Sequence, residues 1–318
     1  MEYTIDTYSH SNQETDIFLQ KDHKYKTVLV GLGDIARHHH LGLESCASLE
    51  LLAVCDIKDN APSRSYYKEK RFYSDIAEML EKEEPQMVIL ATPPSTHCTL
   101  TEICAKHNAL TLVEKPLATT MKDVTQMIEL LTEKRCNIIY HWIFSQEILW
   151  FQRNAKVKDV QRIHFQMEDS YMDLNGHVLP NRRFLGGCWI DSGVNALSVL
   201  SLWFDLANLQ LQEYKVIKDG AIPVETHAAF TVDKAEVIMD ISWRTGRNYK
   251  KTTLQIGNNE YVLEHSLQKV LCNGKEIFSD QTMERLDRHY YNFYSLFPTS
   301  FISLTTTKKI HEILMNIY

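Results

Sequence analysis

From Lys26 onward, short apolar runs alternate with amphipathic stretches. KTVLV reads as a strand, followed by a glycine turn, a helix, the strand LELLAVCD, a stretch without clear period, the helix SDIAEMLEK and the strand QMVILA. The series continues through the turn TPPSTH, the helix CTLTEICAKHN, the strand LTLVE, the turn KPLATT, the helix MKDVTQMIELLTEKR and the strand NIIY. Apolar strands separated by helices predict βαβ units and a Rossmann-type parallel sheet buried on both faces.

The style then changes. After a helix near Ser145 to Asn154 and the strand DVQRIHFQMED come a loop and GGCWIDSGVNALSVL, whose spacing predicts one helix from Gly186 to Leu200. Long alternating runs follow, LQEYKVIKDG, ETHAAFTVD, AEVIMDISWR, KTTLQIGN and NEYVLEH, and the tail TTTKKIHEILMNIY reads as a closing helix. Alternation with hairpin spacing predicts an α+β half with a large open, mainly antiparallel sheet covered by helices on one face. The expected division is a polar flexible leader at 1–25, a dinucleotide-binding domain at 26–142, and a substrate-binding and oligomerisation domain at 143–318. Neither internal repeats nor low-complexity tracts interrupt it.

Composition narrows the partners. A net charge of −7, without a dense Lys/Arg face, argues against nucleic acid. With no apolar run near 20 residues and no basic-then-apolar start, the chain reads as cytoplasmic, without membrane contact. The seven cysteines are scattered, mostly in apolar segments, and read as reduced core thiols.

VGLGDIAR puts Gly31, Gly33 and Ala36 in a G-x-G-x-x-A pattern directly after the first strand. The first glycine permits a tight turn, the second admits a pyrophosphate to the backbone, and the alanine packs helix on strand, with Asp34 and Ile35 between them at the helix start. Asp56, ending the second strand, suits ribose hydroxyls and repels a 2′-phosphate, so NAD is favoured; the nearby Lys58 softens that preference, leaving NADP open. His38, His39 and His40 are read as exposed helix-surface residues rather than metal ligands, because consecutive helical side chains point about 100° apart. No metal site is expected.

Ligands bind at the carboxyl ends of strands in open α/β sheets, which brings in Thr92, Pro93 and His97 of ATPPSTH, and Glu114 and Lys115 of VEKPLA. With Glu114-Lys115-Pro116 and Gly186-Gly187 followed by Asp191, the chain resembles the glucose-fructose oxidoreductase, inositol dehydrogenase and MocA family from about Lys26 onward. The resemblance implies that Lys115 contacts substrate beside the nicotinamide and that a cis bond precedes Pro116. The family's second signature usually ends in histidine, whereas this chain has Asn195. In that respect DSGVNALSVLS, together with YHWIF and the strand end bearing Glu168 and Asp169, is similar to the L-arabinose and D-galactose 1-dehydrogenase branch. That branch oxidises the anomeric carbon of a cyclic sugar to a lactone. The loop DSYMDLNGH lacks a clear counterpart of the branch's histidine, and specificity is expected to differ there.

Positions i and i+4 share a helix face, so Asp191 and Asn195 are expected to project together into the cofactor cleft while Val194, Leu197 and Leu200 pack inward. Asn supplies both a donor and an acceptor for sugar hydroxyls, and an ionised Asp accepts only. Because Asn195 cannot titrate, the expected catalytic set is Lys115 as base, helped by Asp191, with Asn195 orienting the substrate. For Lys115 to act as a base some of it must be neutral, a state that desolvation and the positive nicotinamide favour. His141 is either a donor to a sugar hydroxyl or a satisfied core residue, Glu168 or Asp169 is expected to reach the sugar, and Trp189 to supply an apolar face. The leading expectation is C1 oxidation of a cyclic aldose. Two alternatives stand beside it: oxidation of another ring carbon on a phosphorylated or nucleotide-linked sugar, for which NRRF at 181–184 offers paired arginines, and a non-catalytic dinucleotide or sugar sensor. A homodimer or larger homo-oligomer is expected, because an open sheet face must be covered.

Overall fold

Beyond Lys26, strand β1 (Tyr25–Val30) is buried throughout, as an unbroken apolar run in a two-sided sheet requires. The computed structural model describes residues 23–134, 137–297 and 302–317. Residues 1–22, nearly all of the expected leader, and Cys136 lie outside the described residues; Tyr25, placed by expectation in the leader, already belongs to β1.

Next come α1 (Ala36–Ser45), β2 (Leu49–Cys55), β3 (Arg71–Tyr73), α2 (Ile76–Glu83), β4 (Met87–Leu90), α3 (His97–Lys106), β5 (Leu110–Glu114), α4 (Met121–Lys134) and β6 (Asn137–Ile139). The six strands form one sheet in the order β3-β2-β1-β4-β5-β6, and all its pairings are parallel. The order reverses between β1 and β4. Such a switch point leaves a crevice at the strands' carboxyl ends, where the glycine turn and the turns after β4 and β5 meet.

The second half comprises α5 (Gln146–Asn154), β7 (Val160–Glu168), a π-helical turn (Trp189–Gly193) continuing into α6 (Val194–Leu200), β8 (Gln210–Asp219), β9 (Ile222–Val232), β10 (Ala235–Ser242), β11 (Tyr249–Ile256), β12 (Asn259–Glu264), β13 (Lys269–Cys272), β14 (Lys275–Ser279), α7 (Arg285–Ser295) and α8 (Leu304–Asn316). Its eight strands run β14-β13-β12-β11-β7-β10-β9-β8, antiparallel except for β10 beside β7. Glu168 lies opposite both Ser242 and Tyr249, so the end of β7, the end of β10 and the start of β11 share one edge. That edge supplies the polar floor of the site.

Besides the short strands β3, β13 and β14, two elements differ from the expected pattern. The Gly186–Leu200 segment is a π turn followed by a short α-helix rather than one regular helix. The other is α7, which the apolar pattern did not reveal: its buried face is His289, Tyr290, Asn292, Phe293 and Tyr294, more polar than apolar in composition. It crosses α1 closely at Gly42, where a Cβ would stand 2.3 Å from the Tyr294 ring and 2.8 Å from the Tyr290 carbonyl oxygen. This crossing covers the histidines of α1. Among the described residues, six cysteines are free thiols, as expected, and no helix is long and apolar enough to cross a membrane.

Candidate active site

Backbone geometry builds the nucleotide side. Gly31 has φ +93°, and a Cβ there would lie 2.5 Å from the Ala91 carbonyl oxygen, so the turn closes against the end of β4 only with glycine. At Gly33 the space a Cβ would fill is open. The Asp56 carboxylate accepts the Leu32 N–H at 2.7 Å and the Lys58 N–H at 3.0 Å, which stations it at the turn. Ser63 Oγ donates to Gly33 O at 2.6 Å. An open second glycine, a fixed carboxylate at the end of β2 and a helix N-terminus at Ala36 fit the pyrophosphate and ribose of NAD.

On the substrate side, Lys115 follows β5 and its peptide bond to Pro116 is cis. Its Nζ donates to the Asp191 carboxylate at 3.1 Å and to the Asp191 carbonyl oxygen at 3.0 Å. Lys115 and Asp191 come from different halves of the chain and keep side-chain exposures of 12% and 14%, enough to meet a ligand. Asn195 Nδ2 donates to the Asp191 carbonyl oxygen at 3.4 Å, while its buried Oδ1 has no partner among the described residues. Val194, Leu197 and Leu200 are buried behind them. The expected convergence of Lys115, Asp191 and Asn195 therefore exists as geometry, although a π turn and not an ideal helix brings the last two together.

The loop carrying Lys115 is braced from below. Glu114 is buried and accepts from Tyr290 OH at 2.6 Å, His39 Nε2 at 3.0 Å and the Lys115 N–H at 3.2 Å. His39 Nδ1 in turn accepts from Tyr294 OH at 2.6 Å. On the other side the Leu117 N–H donates to His311 Nε2 at 3.0 Å, and His311 Nδ1 donates to Thr307 O at 2.8 Å. Burial lowers the His311 pKa to about 4, which keeps the accepting nitrogen unprotonated.

Several expected positions need correction. His38 and His39 are buried, because α7 packs over α1; His38 Nδ1 meets Asp287 at 2.7 Å and Glu284 at 3.6 Å. The three histidines do diverge, with His40 turned toward Glu44 at 3.5 Å. Trp189 has no exposed surface and its Nε1 donates to Leu314 O at 3.0 Å, so it anchors the π turn to α8 and offers no face to a sugar. His97 is fully buried with both ring nitrogens at backbone carbonyls, Thr92 O and Leu117 O; it ties the two turns together instead of touching the nucleotide. Glu168 is engaged by Arg247 and Gln166, which hold its carboxyl below the usual carboxylate range, and Asp169 is engaged by Lys250 and Ser192. Neither carboxylate is left open for a sugar. His141 is buried, with Nδ1 3.1 Å from His289 Nδ1, and burial keeps both rings well below the ordinary imidazole range. The paired arginines are matched by acids, Arg182 with Asp34 at 3.4 Å and Arg183 with Asp219 at 3.9 Å. Thr92 packs its methyl against Gly31 and accepts from Thr96 Oγ1 at 2.8 Å, Pro93 stays exposed, and Ile35 packs on the core.

The pattern missed Lys250, Tyr171 and Arg285. Lys250 Nζ is buried against Asp169 and the Glu168 carbonyl oxygen, and burial holds it below the usual lysine range. Tyr171, in the DSYMDLNGH loop, sits within electrostatic reach of Asp191 and Asp169, with the Arg182 guanidinium 4.7 Å over its ring. In the sequence, the inward alternation position on β11 marked Lys250 and the DSYMDLNGH loop marked the neighbourhood of Tyr171; nothing marked Arg285.

Comparison with known proteins bears on the fold. Residues 25–141 match the model of an oxidoreductase family described as having an NAD-binding Rossmann fold. The chain is similar to myo-inositol 2-dehydrogenase of Thermotoga maritima, 24% identical over 299 residues, covering 86% of this chain and 84% of that protein. It is also similar to D-apiose dehydrogenase of Paraburkholderia graminis, 30% identical over 108 residues, covering 33% of this chain and 28% of that protein. In fold it matches UDP-N-acetylglucosamine 3-dehydrogenase of Acidithiobacillus ferrooxidans, with TM-score 0.74, 14% identity, and coverage of 92% and 96% of the two chains. Over residues 25–141, somewhat more than a third of the chain, the match is to that NAD-binding oxidoreductase family, and the chain is an NAD(P)-dependent oxidoreductase with NAD as its cofactor.

Proposed function

We propose that the protein is a sugar dehydrogenase that oxidises C1 of a cyclic aldose to the lactone. The observation that carries this reading is the meeting of Lys115 with Asp191 across the two halves, beside the unpartnered Oδ1 of Asn195. A buried acceptor without a partner is costly, and a substrate hydroxyl satisfies it. Bound NAD supplies the hydride acceptor. Lys115 Nζ hydrogen-bonds the C1 hydroxyl and takes its proton; Asp191 positions the amine and stabilises the ammonium that forms. Asn195 Oδ1 accepts from a neighbouring hydroxyl and fixes the ring. Among sugar hydroxyls the anomeric one is the most acidic, because the ring oxygen withdraws electron density. A site with amide in place of imidazole therefore suits C1, where the demand on the base is least.

The names of the relatives support polyol and sugar chemistry in general, inositol and apiose among them. The division at residue 142, the cofactor contacts of Gly31, Gly33 and Asp56, and a homodimer or larger assembly formed over the uncovered sheet face belong to the same proposal. Mixing the protein with NAD and a panel of free aldoses and inositols, and following reduced nicotinamide, tests it. Reduction with an aldose and recovery of a lactone support the reading; reduction with inositol alone moves the oxidised carbon elsewhere, and no reduction with any of them removes it.

A further inference from the structure

The basic side chains of the cleft can be matched against its acids. Lys115 is answered by Asp191, Lys250 by Asp169, Arg247 by Glu168 and Arg182 by Asp34. His141 and His289 are kept neutral by burial. Arg285, the first residue of α7, is left over. Its near neighbours Glu284 and Asp287 turn to His38, and among the described residues no carboxylate or hydrogen-bond acceptor engages its guanidinium. It is half-buried, 5.6 Å over the Trp142 ring. It also lies close enough to His141, Tyr171 and Lys250 to influence the charge of each, and Lys115 likewise acts on His141. Arg285 therefore lies over Trp142, beside His141 at the junction of the two halves and near Tyr171 and Lys250.

A half-buried guanidinium with five donors and no protein acceptor among the described residues is free to bind an anion. Its planar fork suits a carboxylate or a phosphate, to which it donates two parallel hydrogen bonds, and stacking on Trp142 holds the fork in plane.

We infer that Arg285 recognises an anionic group, carboxylate or phosphate, carried by the sugar at a carbon other than the one oxidised. The inference rests on the sugar-oxidation reading above and narrows its substrate from free aldoses to acidic ones, either uronates or sugar phosphates. Arg182, which the spacing of NRRF suggested for phosphate, is not the group responsible, because Asp34 already engages it.

The test uses three probes of one configuration: D-galactose, D-galacturonate and D-galactose 6-phosphate. Wild type, Arg285→Gln and Arg285→Lys are loaded with NAD, and both oxidation and calorimetric binding are measured. For wild type, kcat/KM for one anionic probe is expected to exceed that for galactose by about 100-fold, the scale of a desolvated charge pair. Arg285→Gln should shrink that ratio to about threefold, and Arg285→Lys, a charge without the fork, to an intermediate value. Which anionic probe is preferred identifies the group as carboxylate or phosphate. Equal kcat/KM for neutral and anionic probes in wild type, or a ratio unchanged in Arg285→Gln, overturns the inference. If no probe is oxidised, calorimetry decides: anionic binding weakened by Arg285→Gln upholds the anion site and removes the oxidation reading, whereas indifference to the variant removes both.

Discussion

At the β1 turn, the groups proposed to bind are backbone; in the cleft opposite, they are side chains gathered from distant elements. Gly31 and Gly33 act by what they lack, one against the Ala91 carbonyl and the other leaving open space. Lys115, Asp191, Asn195, Lys250 and Asp169 come from the end of β5, the π turn, α6, β11 and the end of β7, and each works only because a partner from another element fixes it. A local backbone site leaves a short sequence motif. A dispersed side-chain site leaves pairs such as Lys115 with Asp191 and Lys250 with Asp169, 76 and 81 positions apart, which a one-dimensional reading cannot connect.

Five experiments sharpen that contrast. Lys115→Ala should lower kcat by about a thousandfold, the scale of a missing proton acceptor, while NAD binding measured by fluorescence stays within about twofold. Near-normal turnover would place the chemistry elsewhere. Lys250→Met leaves Asp169 buried and uncompensated, so urea unfolding should show a loss of about 3–5 kcal/mol, and adding Asp169→Leu should recover most of it. Gly31→Ala must accommodate a Cβ 2.5 Å from a backbone oxygen at positive φ, and should lose about 2–3 kcal/mol of stability together with NAD binding. Asp56→Ala is expected to raise the KM for NAD about tenfold and to move the NADP to NAD ratio toward NADP.

The smallest effect is a pH slope. The His311 pKa is about 4 in the folded chain, against about 6.5 in an unfolded one. The unfolded state therefore binds a proton first as pH falls below the unfolded value, and this histidine should cost about 1.4 kcal/mol per pH unit between pH 6.5 and pH 4. Protonation also removes the acceptor that holds the Leu117 N–H, loosening the loop that carries Lys115. Thermal melts of His311→Gln across that range should flatten by about one proton's share.

The difference in physics also decides how much was legible. The parallel sheet, the glycine turn, Asp56 and the Lys115 loop were readable because apolar runs and turn residues are local signals. β3, β13 and β14 were not, being strands of three to five residues with mixed burial. Helix α7 escaped because its overall hydropathy is low: Phe293 is the one strongly apolar residue of a buried face otherwise made of His289, Tyr290, Asn292 and Tyr294. The same blindness exposed His38 and His39 in the expectation and buried them in the fold. Trp189 was read as a sugar platform since an aromatic beside Asp191 looks available; α8, arriving from the far end of the chain, takes it. Arg285 carries no local mark at all, and becomes meaningful only when every other cation of the cleft has been matched.

The most direct measurement follows an isotope. An aldose deuterated at C1, incubated with the protein and NAD, should transfer its deuterium to the nicotinamide ring and yield the lactone, and Lys115→Ala should slow that transfer by about a thousandfold. Reduced nicotinamide without deuterium, or a sugar product still labelled at C1, would contradict oxidation at that carbon.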